Sequence, residues 1–201
     1  MSVWIGECFK NKYENYAEVV EWVDENKSIV VFADFQTGSK VYLEIDNSKL
    51  ISRKFKSPFD RVINGLGYVG HGEYTPKDCA KCYRAWKSRI YLATAFNYKN
   101  NLSYVGTGIS DEFLCFQNFA KWWHSQVGCD EEDFHVDKDL FSGGYKVYSA
   151  ETCCLIPPEI NYALSRVNGA KKNKVLSDLA HKYKSRIEPR VFEALISYNK
   201  S

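Results

Sequence analysis

The sequence predicts an α+β fold, strands first and helices after. Three observations carry this. Short β-rich runs at Glu18–Val23, Ser28–Ala33 and Lys40–Ile45 are separated by the turn-forming stretches Asp24-Glu25-Asn26-Lys27 and Gln36-Thr37-Gly38-Ser39. Apolar residues at helical spacing take over in Asp78–Phe96 and Asp111–Gln126. Between 134 and 164 a strand, a Gly-Gly turn, a second strand and a Pro-started helix follow one another, the layout of a ββα unit. The expected organisation is an N-terminal SH3-like small β domain over 1–56, a helical middle with the ββα core over 57–168, and basic C-terminal helices over 169–201.

The elements justify themselves in order. The β domain ends in a basic exit, Lys49, Arg53, Lys54 and Lys56. A surface of that kind serves as a docking module for DNA or as a scaffold. Ser57-Pro58-Phe59 marks a boundary, and Gly65–Tyr74 carries four glycines, which reads as an irregular loop. On the 78–96 helix, Tyr83, Trp86, Ile90 and Ala93 share a face, with Arg84, Lys87 and Arg89 on the other side or its edge. On the 111–126 helix, Phe113, Phe116, Phe119, Ala120 and Trp123 form a core stripe. Lys121, Trp122 and His124 face elsewhere. Gly128–Asp133 is an acidic loop that would repel a phosphate backbone. His135–Phe141 and Tyr145–Tyr148 are the two strands of the ββα unit, and Pro157-Pro158-Glu159 opens its helix. The tail is two helices broken at Glu188-Pro189. From Lys171 to Ser201 it holds eight Lys and Arg against three Asp and Glu.

Composition narrows the function. The chain has 201 residues, 45% hydrophobic and 15% aromatic, which excludes disorder as its main state. The net charge is only +2, so a nucleic-acid surface must come from local clustering. No run reaches the ~18 apolar residues of a membrane span. Met1–Glu7 has neither the basic start nor the apolar core of a secretory leader, and the seven cysteines, an odd number, read as reduced thiols; a cytoplasmic protein is expected. Cys79-Ala80-Lys81-Cys82 is a C-x-x-C. Cys115, His124, Cys129 and the Cys153-Cys154 pair could complete a zinc site, but no second spaced pair exists, and idle thiols are the expectation.

Val136–Asp139 reads VDKD, Tyr148–Cys153 reads YSAETC and Ile156–Asn161 reads IPPEIN. In that order these resemble the core of the bacteriophage HNH homing endonucleases, in the branch where LDKD, a Gly turn, YSPETC and VP-x-x-IN succeed one another. Upstream, Tyr83–Lys87 resembles that branch's YRTW element. Gly65–Tyr74 resembles GVGYLGVGKY. Tyr104–Ile109 with Phe116–Trp122 resembles Y-x-G-x-x-V followed by FQNFA-x-W. The tail also matches, but the AP2-like DNA-binding domain that many of these proteins carry before it is missing. Val167–Lys174 stands in its place.

The resemblance implies double-stranded DNA as partner and, for a nuclease, Mg²⁺ or another divalent cation held by Asp137, Asp139 and Asn161, with Asp137 and His135 as the catalytic candidates. The sequence departs from the typical pattern at two points. Lys138 stands where typical HNH proteins have the base histidine, a replacement the resembling branch shares in its DKD, and a lysine ammonium contacts phosphate rather than accepting a proton. Thr152 stands where the central Asn would be. His135 shares a strand face with Asp137 and is the substitute base. Phosphate contacts are expected from Lys138, from Arg84, Lys87 and Arg89, and from Lys54 and Lys56. Arg166, Lys171, Lys172 and Lys174 extend them into the tail. Three readings follow. One is a catalytically impaired, sequence-specific DNA binder or transcriptional repressor, as when phage satellites domesticate homing endonucleases. Another is a metal-dependent endonuclease that cuts or nicks DNA. The third is an interaction protein that blocks another nuclease or defence complex by mimicry. A homodimer is compatible with all three.

Overall fold

The computed structural model describes residues 3–34, 37–94, 104–169 and 171–198. It contains both helices and strands, an α+β chain, and divides into two compact units, Met1–Glu73 and Tyr74–Ser201.

The first unit is an antiparallel meander of β1 (Cys8–Lys10), β2 (Tyr16–Trp22), β3 (Lys27–Ala33) and β4 (Lys40–Asp46), in that order across the sheet. The three expected runs are therefore strands, and β1 is added to them. Alternation does the work in β3: Ser28, Val30 and Phe32 are fully buried, as period-2 patterning requires. β2 slips in register between Val19 and Glu21, a bulge that curls the sheet over its core. α1 (Asn47–Ile51) drops Leu50 onto Val19, Val30, Phe32 and Phe55. Each such large apolar side chain contributes about 1.5–3 kcal/mol on burial.

The unit does not end at 56. Asp60 accepts from Asn11 Nδ2 at 2.7 Å, Asn15 Nδ2 at 2.9 Å and the Ser57 N–H at 3.0 Å. The Tyr68 hydroxyl donates to Asp34 at 3.3 Å. These bonds hold the segment 57–73 on the β sheet, so the Ser57-Pro58 turn is internal to the unit. Within the glycine-rich loop, Ile63 and Gly67 form a bridge around Asn64 and Gly65, both at positive φ.

In the second unit, α2 (Ala80–Leu92) buries Cys82, Trp86 and Ile90; positions 95 and 96 of the expected helix lie outside the described residues, as does Gln36 of the expected β-domain turn. The 111–126 helix is in fact two: α3 (Asp111–Leu114), capped by Ser110, and α4 (Phe116–Ser125). Cys115 between them is extended, φ −87° and ψ 124°. The break corrects the reading of Trp122. With α3 set off from α4, Phe113 meets the Trp122 ring at 5.1 Å and Phe119 meets it at 5.3 Å, and Trp122 is buried.

The ββα unit is also rewired. β6 is only His135–Asp137, and its antiparallel partner is β8 (Cys154–Ile156). The expected second strand shrinks to β7 (Val147–Tyr148), which pairs in parallel with β5 (Gly108–Ile109). The helix is where Pro158 predicts it: α5, Pro158–Arg166. α6 (Lys171–Lys182) packs against α5, and α7 (Pro189–Ile196) packs against α6, with Leu176, Ala180, Val191 and Leu195 buried, so the tail belongs to the second unit and is no separate domain. Among the described residues no helix is long and apolar enough to cross a membrane.

Candidate nucleic-acid interface

β6 ends because Asp137 ends it. Its Oδ2 accepts the Leu140 N–H at 2.8 Å and closes a turn, leaving the next residues at the mouth of a cleft. β8 pairs with β6, and α5 leaves β8 through Pro157 and packs on β6. β7 and α2 complete the walls. The cleft holds about 860 Å³. Four cations line it, Arg89, Lys138, Lys146 and Arg166, against two carboxylates, Asp137 and Asp139.

Lys138 is the organising side chain. It is only 5% exposed. Its ammonium bonds Asp139 Oδ1 at 2.5 Å and lies 5.5 Å from the Tyr148 ring centroid. The Arg89 guanidinium lies 5.4 Å from the same ring. Two cations thus lie against one buried aromatic ring, an arrangement that anchors both side chains. The Arg89 Nε is buried and has no hydrogen-bond partner among the described residues. A buried donor without a partner costs free energy unless something supplies an acceptor.

Asp137 is buried beside these cations. Burial pushes its carboxyl up to about 6, against the lowering effect of the Leu140 and Asp139 N–H groups and of Lys138. On the rim, the Nδ1 of exposed His135 lies 3.1 Å from Asn161 Nδ2, linking β6 to α5. Thr152 holds the loop behind β7: its hydroxyl donates to the Val147 carbonyl at 2.6 Å and accepts the Ser149 N–H at 3.1 Å. Arg190 of α7 fixes the next turn by donating to the Cys153 carbonyl at 2.9 Å.

The donor set fits a resident divalent cation poorly. Mg²⁺ takes one or two carboxylates together with substrate oxygens. Here Asp137 is taken up by backbone N–H groups and Asp139 Oδ1 by the Lys138 ammonium, while Asn161 meets His135 through Nδ2 rather than through the oxygen a cation would take. Among the described residues, no group of three or more His, Cys, Asp or Glu side chains is placed to hold a metal ion. Asp137, Asp139 and Asn161 line one cleft, and both carboxylates are already engaged. Burial pushes the Cys82 and Cys153 thiols up to about 12 and Cys154 well above its ordinary value, which keeps them protonated.

Of the expected phosphate contacts, Lys138, Arg89 and Arg166 meet in the cleft. Arg84 and Lys87 are exposed on α2, with Lys87 over the Tyr83 ring. In the tail Lys171 is exposed, Lys172 donates to the Leu164 carbonyl at 2.7 Å, and Lys174 pairs with Asp178 at 2.8 Å, so the last two serve helix ends and local pairs. Lys54 and Lys56 belong to the other unit. The acidic loop is tied back by Arg186, whose guanidinium grips Glu131 through both oxygens. The residues missed from sequence are Tyr148, Lys146, Tyr104 and Ser165. Tyr148 sits inside the YSAETC motif, but nothing in the spacing shows that its ring lies beneath two cations. No protein-family model, no curated protein and no solved structure matches the chain.

Proposed function

We propose that this chain is a double-stranded-DNA-binding protein on an HNH-type plan, with an SH3-like first unit, and that it acts as a sequence-specific binder or transcriptional repressor without cutting. One observation carries the reading: Lys138, where typical HNH proteins have the base histidine and the resembling branch itself has lysine, is buried in a cationic cleft with the Arg89 Nε, which has no partner among the described residues. The two supply a phosphate with charge and donors in a partly dry site, where such bonds are strong. A fixed ammonium there binds phosphate but cannot draw a proton from water.

A second reading, a metal-dependent nuclease, is favoured by His135, Asp137, Asp139 and Asn161 lining the same cleft. Gel shifts across a salt series, followed by a nicking assay in Mg²⁺ and in Mn²⁺, separate the two. The binder gives salt-dependent shifts, with log affinity falling by roughly 0.9 per phosphate neutralised for each tenfold rise in salt, and no nicks. Nicking lost in Asp137→Ala identifies the nuclease. No shift with any duplex at low salt removes both.

A further inference from the structure

A second groove lies wholly within the first unit and takes no part in the reading above. It holds about 840 Å³, and its floor is apolar: Leu43 of β4, the buried Phe55, Pro58, Val62 and Val69, with Tyr13 at one side. Val62 is 46% exposed and Tyr13 is 38% exposed, so the floor opens to solvent. Around it stand Lys12, Arg53, Lys54 and Lys56, all exposed. None of the four makes an ion pair among the described residues. The one carboxylate in the groove, Asp60, is buried and engaged by Asn11, Asn15 and the Ser57 N–H, so it does not neutralise the rim. Arg53 is held at φ +57°, a conformation few non-glycine residues adopt, and the chain turns there to present the basic run along the groove.

We propose that this groove docks an acidic peptide segment of a partner protein, seating one or two aliphatic or aromatic side chains on the floor and its carboxylates on the four cations. The occupant follows from the chemistry. A duplex backbone offers phosphates but little that is apolar to cover an exposed floor. Single-stranded nucleic acid needs ring faces for its bases to stack on. The only exposed ring here is Tyr13, and the Lys12 ammonium sits 4.7 Å over it. Aliphatic anchors flanked by carboxylates satisfy both the floor and the rim. Lys54 and Lys56, expected from sequence to contact DNA, contact this peptide instead.

The test uses the full chain and three fluorescein-labelled probes followed by anisotropy. The first is a pool of short peptides alternating Asp or Glu with Leu, Ile or Phe. The second has every apolar residue changed to Ser at the same charge. The third is oligo-dT. The first probe is expected to bind saturably and the other two at least about tenfold more weakly. Lys54→Glu combined with Lys56→Glu should weaken the first probe about tenfold, as should Val62→Asp, a substitution at an exposed position that leaves the core intact. Binding of the first probe should persist at saturating duplex DNA. No binding of the first probe overturns the proposal, as does equal binding of the serine probe, which would mark a polyanion surface only. Displacement by duplex or by oligo-dT, or indifference to Val62→Asp, overturns it too. Because the duplex gel shift is read separately, failure here leaves the DNA reading standing, and the reverse also holds.

Discussion

His135 and Asn161 meet across the rim of the cleft, with Nδ1 of the imidazole 3.1 Å from Nδ2 of the amide. Oriented this way the amide donates and Nδ1 accepts. The proton of the neutral ring is then on Nε2, which is a donor. Such an imidazole hydrogen-bonds a phosphate oxygen but has no free lone pair at Nε2 to take a proton from water.

The first prediction is therefore a tautomer. Imidazole nitrogen NMR of the free protein at a pH where His135 is neutral should show Nε2–H and an unprotonated Nδ1. Asn161→Asp, which replaces the donor with an acceptor, should move the proton to Nδ1. An Nδ1–H tautomer in the unsubstituted protein would mean that the amide faces the other way, leaving Nε2 free to act as a base, and would favour the nuclease reading.

Lys138→Ala should weaken duplex binding by about tenfold, roughly one charge-assisted contact, and lower the magnitude of the salt slope by about one. Lys138→Arg should keep the slope. If neither the affinity nor the slope of Lys138→Ala differs from the parent, phosphate is not held at this ammonium. Chelators should leave duplex binding unchanged, because Lys138 already supplies the positive charge beside Asp139.

Gly128 tests the packing that carries the acidic loop past the core. It has φ +87°, and a Cβ there would run into the ring of Phe134, which is buried beneath the Arg186 guanidinium. Gly128→Ala should cost about 2–4 kcal/mol, from left-handed strain plus overpacking. Gly143→Ala meets open space at φ +55° and should cost about 1 kcal/mol. Urea midpoints measure both, and equal losses would mean that the Phe134 contact is not limiting.

How much of this was legible in the sequence depends on the range of the forces involved. The strands β2, β3 and β4 and the start of α5 rest on alternation, turn residues and Pro158, all local signals, and they lie where the sequence puts them. The pairing of β6 with β8 and of β7 with β5 is long-range, and local propensity does not distinguish it from a hairpin. The break at Cys115 was hidden because the aromatic stripe continues through it. In the cleft, Lys138, Arg89 and Arg166 were named from charge and resemblance. The aromatic ring beneath Lys138 and Arg89, Tyr148, depends on tertiary packing alone. Lys172 and Lys174 look like nucleic-acid contacts by composition, yet a free carbonyl at the end of α5 and a carboxylate one turn away claim them.

Asp137 gives the last prediction, a stability that changes with pH. Burial raises its folded-state value to about 6, whereas an unfolded Asp titrates near ~3.9. Between those values the folded protein holds the proton and the unfolded chain has released it. The folded state binds more protons there, so stability from this group is present at low pH and is lost as pH rises through about 6. Asn at this position does not titrate and keeps an oxygen for the Leu140 N–H. Urea unfolding of Asp137→Asn against the parent should therefore show a gap that grows in favour of the variant by about 2 kcal/mol between about pH 4.5 and about pH 8. The exposed pairs Glu131–Arg186 and Glu159–Lys182 titrate in both proteins and cancel in the comparison. The same substitution removes a carboxylate from the cleft, so duplex affinity at neutral pH should stay level or rise. A gap independent of pH would show that Asp137 is not desolvated. A gap in favour of the parent at high pH would show that its anion is stabilised, as a carboxylate built to hold a cation beside Lys138 would be.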